Sequence, residues 1–98
     1  MEKQNLERLI GVIDSKLAAI PDAGYTDHDA WRRRQRALDD ALRAVVDDEK
    51  GTANTQADAA TLKLAGIRTS ATGGSLALLR NWQNAARRRI NQIAAGAA

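Results

Sequence analysis

Apolar positions recur every three to four residues over most of the chain. Leu6, Leu9, Ile10, Ile13, Leu17 and Ile20 form one such stripe and predict a first helix over 3–20. Pro21 ends it, because a proline ring disfavours helical geometry in the residue before it. Pro21-Asp22-Ala23-Gly24-Tyr25 is turn chemistry, with Tyr25 in the linker. Thr26 or Asp27 then caps a second helix over 27–50, and Asp27 and Asp29 sit near the positive end of its dipole. Trp31, Leu38, Ala41, Leu42 and Val45 define its apolar face. Arg32, Arg36, Asp40, Arg43 and Asp47 point outward, with opposite charges four residues apart. Gly51 is the expected stop, and an uninterrupted run through Gly51 is the alternative.

The polar run from Gly51 to Gln56 reads as a loop in which Thr52 or Asn54 caps a short third helix. That helix is expected over 55–65, through Ala57, Ala60, Thr61 and Leu64 to a stop at Gly66. Residues 66–74 connect it to a last helix over 75–95, which starts at Ser75 after the Gly73-Gly74 pair. This last helix places Leu79, Trp82, Ala86, Ile90 and Ile93 on one face and frays into the alanines at 94–98. Pro21 is the one proline, alanine and arginine are abundant, and β-branched residues are few, so no strand is predicted. Sevenfold spacings (Leu6, Ile13, Ile20; Trp31, Leu38, Val45; Leu79, Ala86, Ile93) suit helices packed near 20°. The expected fold class is all-α: a single domain over 1–98, a small bundle of three to four helices.

Composition makes that bundle's core thin. Twenty of the 98 residues are alanine, against ten Leu, six Ile and three Val. A chain this short buries a modest fraction of its surface, so self-association through alanine-lined faces, giving a homo-oligomer, is the expected supplement. There is no cysteine, and His28 is the sole histidine, which excludes a disulfide framework, a zinc finger, a thiol nucleophile and a multi-histidine metal site. Glu2, Glu7 and Asp14 interrupt the first twenty residues as no signal-peptide core would allow. No apolar run reaches membrane-spanning length, so the expected setting is cytoplasmic, with no membrane partner.

Charge is divided along the chain. Residues 1–50 hold nine Lys or Arg and eleven Asp or Glu, whereas residues 51–98 hold six basic residues and Asp58 as the one acid. Lys63, Arg68, Arg80, Arg87, Arg88 and Arg89 therefore lack a local carboxylate. Arg80, Asn84, Arg87 and Asn91 recur at spacings of four and three, a ladder suited to phosphate or carboxylate, because guanidinium donates in a bidentate fork. Arg32, Arg33, Arg34 and Arg36 on the second helix instead have Asp39, Asp40, Asp47, Asp48 and Glu49 on the same element, which favours ordinary surface pairing.

The loop from Gly66 to Ser75 is rich in glycine and hydroxyls and opens the final helix. With Arg68, Ser70, Thr72, Gly73, Gly74 and Ser75 it forms a generic anion site, against the simpler reading of a turn with Ser75 as cap. It lacks the lysine of a nucleotide-hydrolysing phosphate loop. A helix-turn-helix over the same residues fails at Gly73-Gly74, each glycine costing about 1 kcal/mol inside a recognition helix. Trp31 and Trp82 fall at core or interface positions, and His28 beside Asp27 and Asp29 reads as structural. The carboxylate runs at 39–40 and 47–49 read as solvated faces, without the spaced ligands of a calcium loop.

The chain resembles, in size and composition alone, the small accessory products of phages and mobile elements: inhibitors of host defence complexes, regulators and virion assembly factors. That resemblance carries no residue over. The residues themselves lead to a non-enzymatic binding protein that engages a larger partner with an acidic surface through its basic C-terminal half. The binding residues would be Arg68, Ser70, Thr72, Gly73, Gly74, Ser75, Arg80, Asn84, Arg87, Arg88 and Asn91. The alternative is binding to nucleic acid or nucleotide phosphates by the same arginines and the glycine-rich loop. An enzyme is disfavoured for want of an assembled acid, base and nucleophile, and no cofactor or metal is implied.

Overall fold

The computed structural model describes residues 2–22, 26–56 and 58–96. Tyr25 and Ala57, and the terminal pair at 97–98, lie outside the described residues. The chain runs α1 (Glu2–Ala18), α2 (His28–Asp48), β1 (Thr52–Asn54), β2 (Ala60–Leu64), β3 (Ile67–Ala71), α3 (Ser75–Gly96). It is an α+β fold, which corrects the all-α bundle. β2 lies within the segment read as a third helix over 55–65, β3 within the connecting loop 66–74 after it, and β1 within the run from Gly51 to Gln56 read as a loop.

α1 buries Leu6, Leu9, Ile13 and Leu17. Its last turn tightens, with Ile20 N–H donating to Leu17 C=O at 3.1 Å just before Pro21. α2 is opened by Asp27, whose carboxylate accepts from Ala30 N–H at 3.0 Å, and it buries Leu38, Ala41, Leu42 and Val45. Trp31 is the correction on this helix. It is 38% exposed and lies flat against His28, the ring centroids 6.0 Å apart, because the first turns of α2 run past the end of the core. The molecule is accordingly elongated, with a radius of gyration of 14.4 Å against about 13 Å for a compact chain of this length.

α2 stops by a backbone device. Lys50 takes φ +56°, and Gly51 N–H donates to Val46 C=O at 2.9 Å, so the helix does not run through Gly51. Gly51 is required for a steric reason: a Cβ there would sit 2.9 Å from Lys63 C=O and 3.1 Å from Leu64 Cδ1.

The three strands form an antiparallel sheet in the order β1-β2-β3. Ala65 (φ +52°) and Gly66 (φ +78°) make the two-residue turn between β2 and β3. Positive φ at both positions matches the twist of the flanking strands. Leu62 and Leu64 point inward with Ile67, Thr69 and Ala71 opposite, while Thr61, Lys63, Arg68 and Ser70 point outward. Ala57, Ala60, Thr61 and Leu64 imitate helical spacing by coincidence. The alternation that competes with it is short, and its inner positions are partly alanine and threonine, which weakens the contrast between faces.

α3 is the centre of the fold, packing on α1, α2 and the inner face of the sheet. It buries Leu78, Leu79, Trp82, Gln83 and Ala86. Trp82 is fully buried, and its indole N–H donates to Leu64 C=O at 3.0 Å, tying the helix to the end of β2. The alanines serve close packing within the chain at Ala41 and Ala86.

Candidate functional site: a carboxylate-free basic tract

The six cations of the C-terminal half separate into two groups. On the side of α3 that meets α1, Arg80 Nη1 donates to Asp14 Oδ1 at 2.9 Å and to Gln83 Oε1 at 2.8 Å. Gln83 is fully buried and donates to Asp14 at 2.9 Å and to Ile10 C=O at 3.0 Å, so one amide ties both helices and the ion pair together. Arg89 holds Glu2 through two bonds, at 2.8 and 3.3 Å. Hydrogen bonding from Gln83, reinforced by Arg80, holds the Asp14 carboxyl below its ordinary range, and Arg89 does the same to Glu2. These two arginines thus find their carboxylates on α1, far away in sequence.

The second group is Lys63, Arg68, Arg87 and Arg88. All four are exposed, and among the described residues none has a carboxylate at ion-pairing distance. The surface pairing expected for Arg32, Arg33, Arg34 and Arg36 is also not formed along α2, since of these only Arg34 pairs among the described residues, with Asp22 at 3.7 Å. Lys63 and Arg68 are direct cross-strand partners on the outer face of the sheet, with Thr52 completing their row. The next row is Asn54, Thr61 and Ser70. A shallow depression of about 550 Å³ lies over this face. Like charges directly opposite each other on a sheet are destabilising. The chain nonetheless places two there, with no acid beside them.

Around the edge of β3 the tract continues onto α3. Asn81 donates to Ser70 C=O at 3.0 Å and so covers part of the free strand edge. A second depression, about 280 Å³, is lined by Thr69, Ser70, Asn81, Asn84 and Arg88. Thr69, on the inner face of β3, buries its hydroxyl without a hydrogen-bond partner among the described residues. Arg87 lies beyond, donating to Asn84 Oδ1 at 3.3 Å, and it stands toward α1, where its charge adds weakly to the lowering of the Asp14 carboxyl without forming an ion pair.

The residues singled out from sequence are therefore divided. Ser70, Asn84 and Arg88 line one depression, Arg87 is bonded to Asn84, and Arg68 lines the other depression, two residues before Ser70 on the same face of β3. Arg80 is committed to α1, so the ladder Arg80, Asn84, Arg87, Asn91 does not act as one free face; Asn91 is exposed at its far end. Gly74 and Ser75 lie against Asp39 and Leu42 of α2 instead, and Gly73 is exposed just before them, close to Ala77 of α3. Ser75 is buried, and its hydroxyl donates to Asp39 Oδ1 at 2.6 Å, so a carboxylate of the chain itself already sits at the start of α3. Ser75 is thus the first residue of the helix, after Gly74 at φ +90°. Thr72 is exposed between these groups.

Thr52, Asn54, Thr61, Lys63, Asn81 and Gln83 are not among the binding residues expected from sequence. The signal for the strand residues was the alternation in 60–64 and 67–71. For Asn81 it was the spacing Asn81, Asn84, Arg88, which shares a helix face. Among the described residues no group of three His, Asp or Glu side chains could hold a metal ion, and no helix is long and apolar enough to cross a membrane. Comparison with family models, with curated proteins and with solved structures finds no match to this chain.

Proposed function

We propose that this chain is a non-enzymatic, cytoplasmic binding protein that engages an anionic surface of a larger partner through its basic C-terminal half. The working surface is Lys63, Arg68, Ser70, Asn84, Arg87 and Arg88. One observation carries the reading: α1 supplies carboxylates to Arg80 and Arg89, yet Lys63, Arg68, Arg87 and Arg88 make no ion pair among the described residues and, unlike the exposed Arg32, Arg33 and Arg36 of acid-rich α2, stand on elements that carry no acid at all. Charges left without an internal acid gain most from an external one, and guanidinium with neighbouring amides and hydroxyls supplies directional donors for carboxylate or phosphate oxygens.

Retention on a heparin matrix tests it without knowledge of the partner. Charge reversal at Arg87 and Arg88, or at Lys63 and Arg68, should lower the eluting salt sharply while the far-ultraviolet helical signal is kept. The control is Arg32→Glu with Arg33→Glu, an equal change in net charge on exposed residues of α2, which should shift elution much less. Equal shifts in all three variants would reduce the tract to its net charge and end the proposal.

A further inference from the structure

The geometry points to a definite occupant for this tract: the phosphate backbone of double-stranded nucleic acid, bound without regard to sequence. This inference rests on the binding reading above and names its partner.

The outer face of the sheet is a grid of donors. Thr52, Lys63 and Arg68 form one row and Asn54, Thr61 and Ser70 the next. Strands stand about 4.8 Å apart, and residues two apart on a strand about 6.8 Å. Every one of these six side chains can donate a hydrogen bond to phosphate oxygen, by ammonium, guanidinium, hydroxyl or amide, and none is a carboxylate. The repulsion between Lys63 and Arg68 is relieved when a phosphodiester lies between them. Past the strand edge, Asn84 and Arg88 extend the grid to a further phosphate along the same backbone.

What the tract lacks selects among polyanions. No large apolar side chain stands in either row, whereas a specific protein interface has a desolvated apolar centre inside a polar rim. Protein–nucleic acid interfaces are more polar and much more positively charged, which is the composition found. Among the described residues no aromatic side chain stands there either; Trp82 is buried and Trp31 belongs to the far part of α2. Single strands are held by stacking on aromatics, so the occupant is a duplex, recognised by its charge.

The test is fluorescence anisotropy with a labelled 20-base-pair DNA duplex, and with a single strand of the same length, at about 50 and 200 mM salt. The duplex should bind more tightly and weaken by orders of magnitude across that range. Lys63→Glu with Arg68→Glu should lose at least about a hundredfold in affinity at the lower salt, and Lys63→Gln with Arg68→Gln should lower the salt slope by about two, one for each phosphate no longer neutralised. Arg32→Glu with Arg33→Glu should leave the slope unchanged. Tighter single-strand binding, an unaltered slope in the glutamine variant, or no duplex binding at the lower salt overturns the inference. If heparin retention still depends on the tract in that last case, the binding reading stands with an acidic protein as partner. If retention is indifferent to the tract, both fall together.

Discussion

The two long sides of α3 carry similar residues and use them in opposite ways. Toward α1, arginine meets carboxylate through a buried amide, and the charges work to hold two helices in register. Toward β3, arginine, asparagine and serine share a depression that contains no acid. The same helix thus shows what a cation looks like when the fold uses it and when the fold leaves it alone. Exposure does not separate the two cases, since Arg80 and Arg89 are as surface-lying as many unpaired arginines, their side chains about half exposed. The distinction lies in whether another element brings a carboxylate into reach.

Breaking the paired side at its amide should have the largest effect. Gln83→Leu keeps the volume and the burial but leaves Ile10 C=O, Asp14 and Arg80 without their shared partner. Unfolding in urea should show a loss of about 1–3 kcal/mol, while heparin retention holds or rises as Arg80 is loosened. A loss of retention in that variant would mean that the two sides of α3 are not independent.

A smaller change of opposite sign is expected on the open side. Arg68→Thr removes the like-charge pair with Lys63 and puts a strand-favouring residue in β3, so stability should rise by about 0.5 kcal/mol. Heparin retention should fall in the same variant. Gain in melting temperature with loss of retention would mark Arg68 as kept for binding at the expense of the fold; loss of both would make it structural.

Acid sharpens the comparison further, with the smallest effect. The Asp14 and Glu2 carboxyls lie below their ordinary ranges in the folded chain, so their contribution to stability is complete above the unfolded values. It is lost as pH falls through the lowered folded values. The urea midpoint should therefore drop on going from about pH 5 to about pH 2, and the drop should be shallower in Asp14→Asn with Glu2→Gln. Both carboxylates are largely solvent-accessible, which keeps the difference small.

Three helices, the Asp27 cap of the second and the split of charge between the halves were legible along the chain, because each is a local matter, whereas Ser75 proved to be the first residue of its helix and not the cap. A stripe at every third or fourth residue, an Asp at position 27 and a proline at 21 act within one or two turns of themselves. The hairpin was not legible in the same way. Ala65-Gly66 is a weak turn signal beside Asn-Gly, and alanine at inner strand positions blurs the two faces, so only pairing with β1 and packing under α3 decided that 60–71 is sheet. Trp31 had a core residue's spacing and missed the core, since the length of α2 relative to its neighbours is not written in its own periodicity. The free basic tract is the clearest case. The sequence by itself determined that residues 59–96 contain no acid; the tertiary structure determined which of their cations meet Glu2 and Asp14 and which meet solvent. Ion pairing acts over a few ångströms between residues more than sixty positions apart, and that distance exists only once the chain has folded.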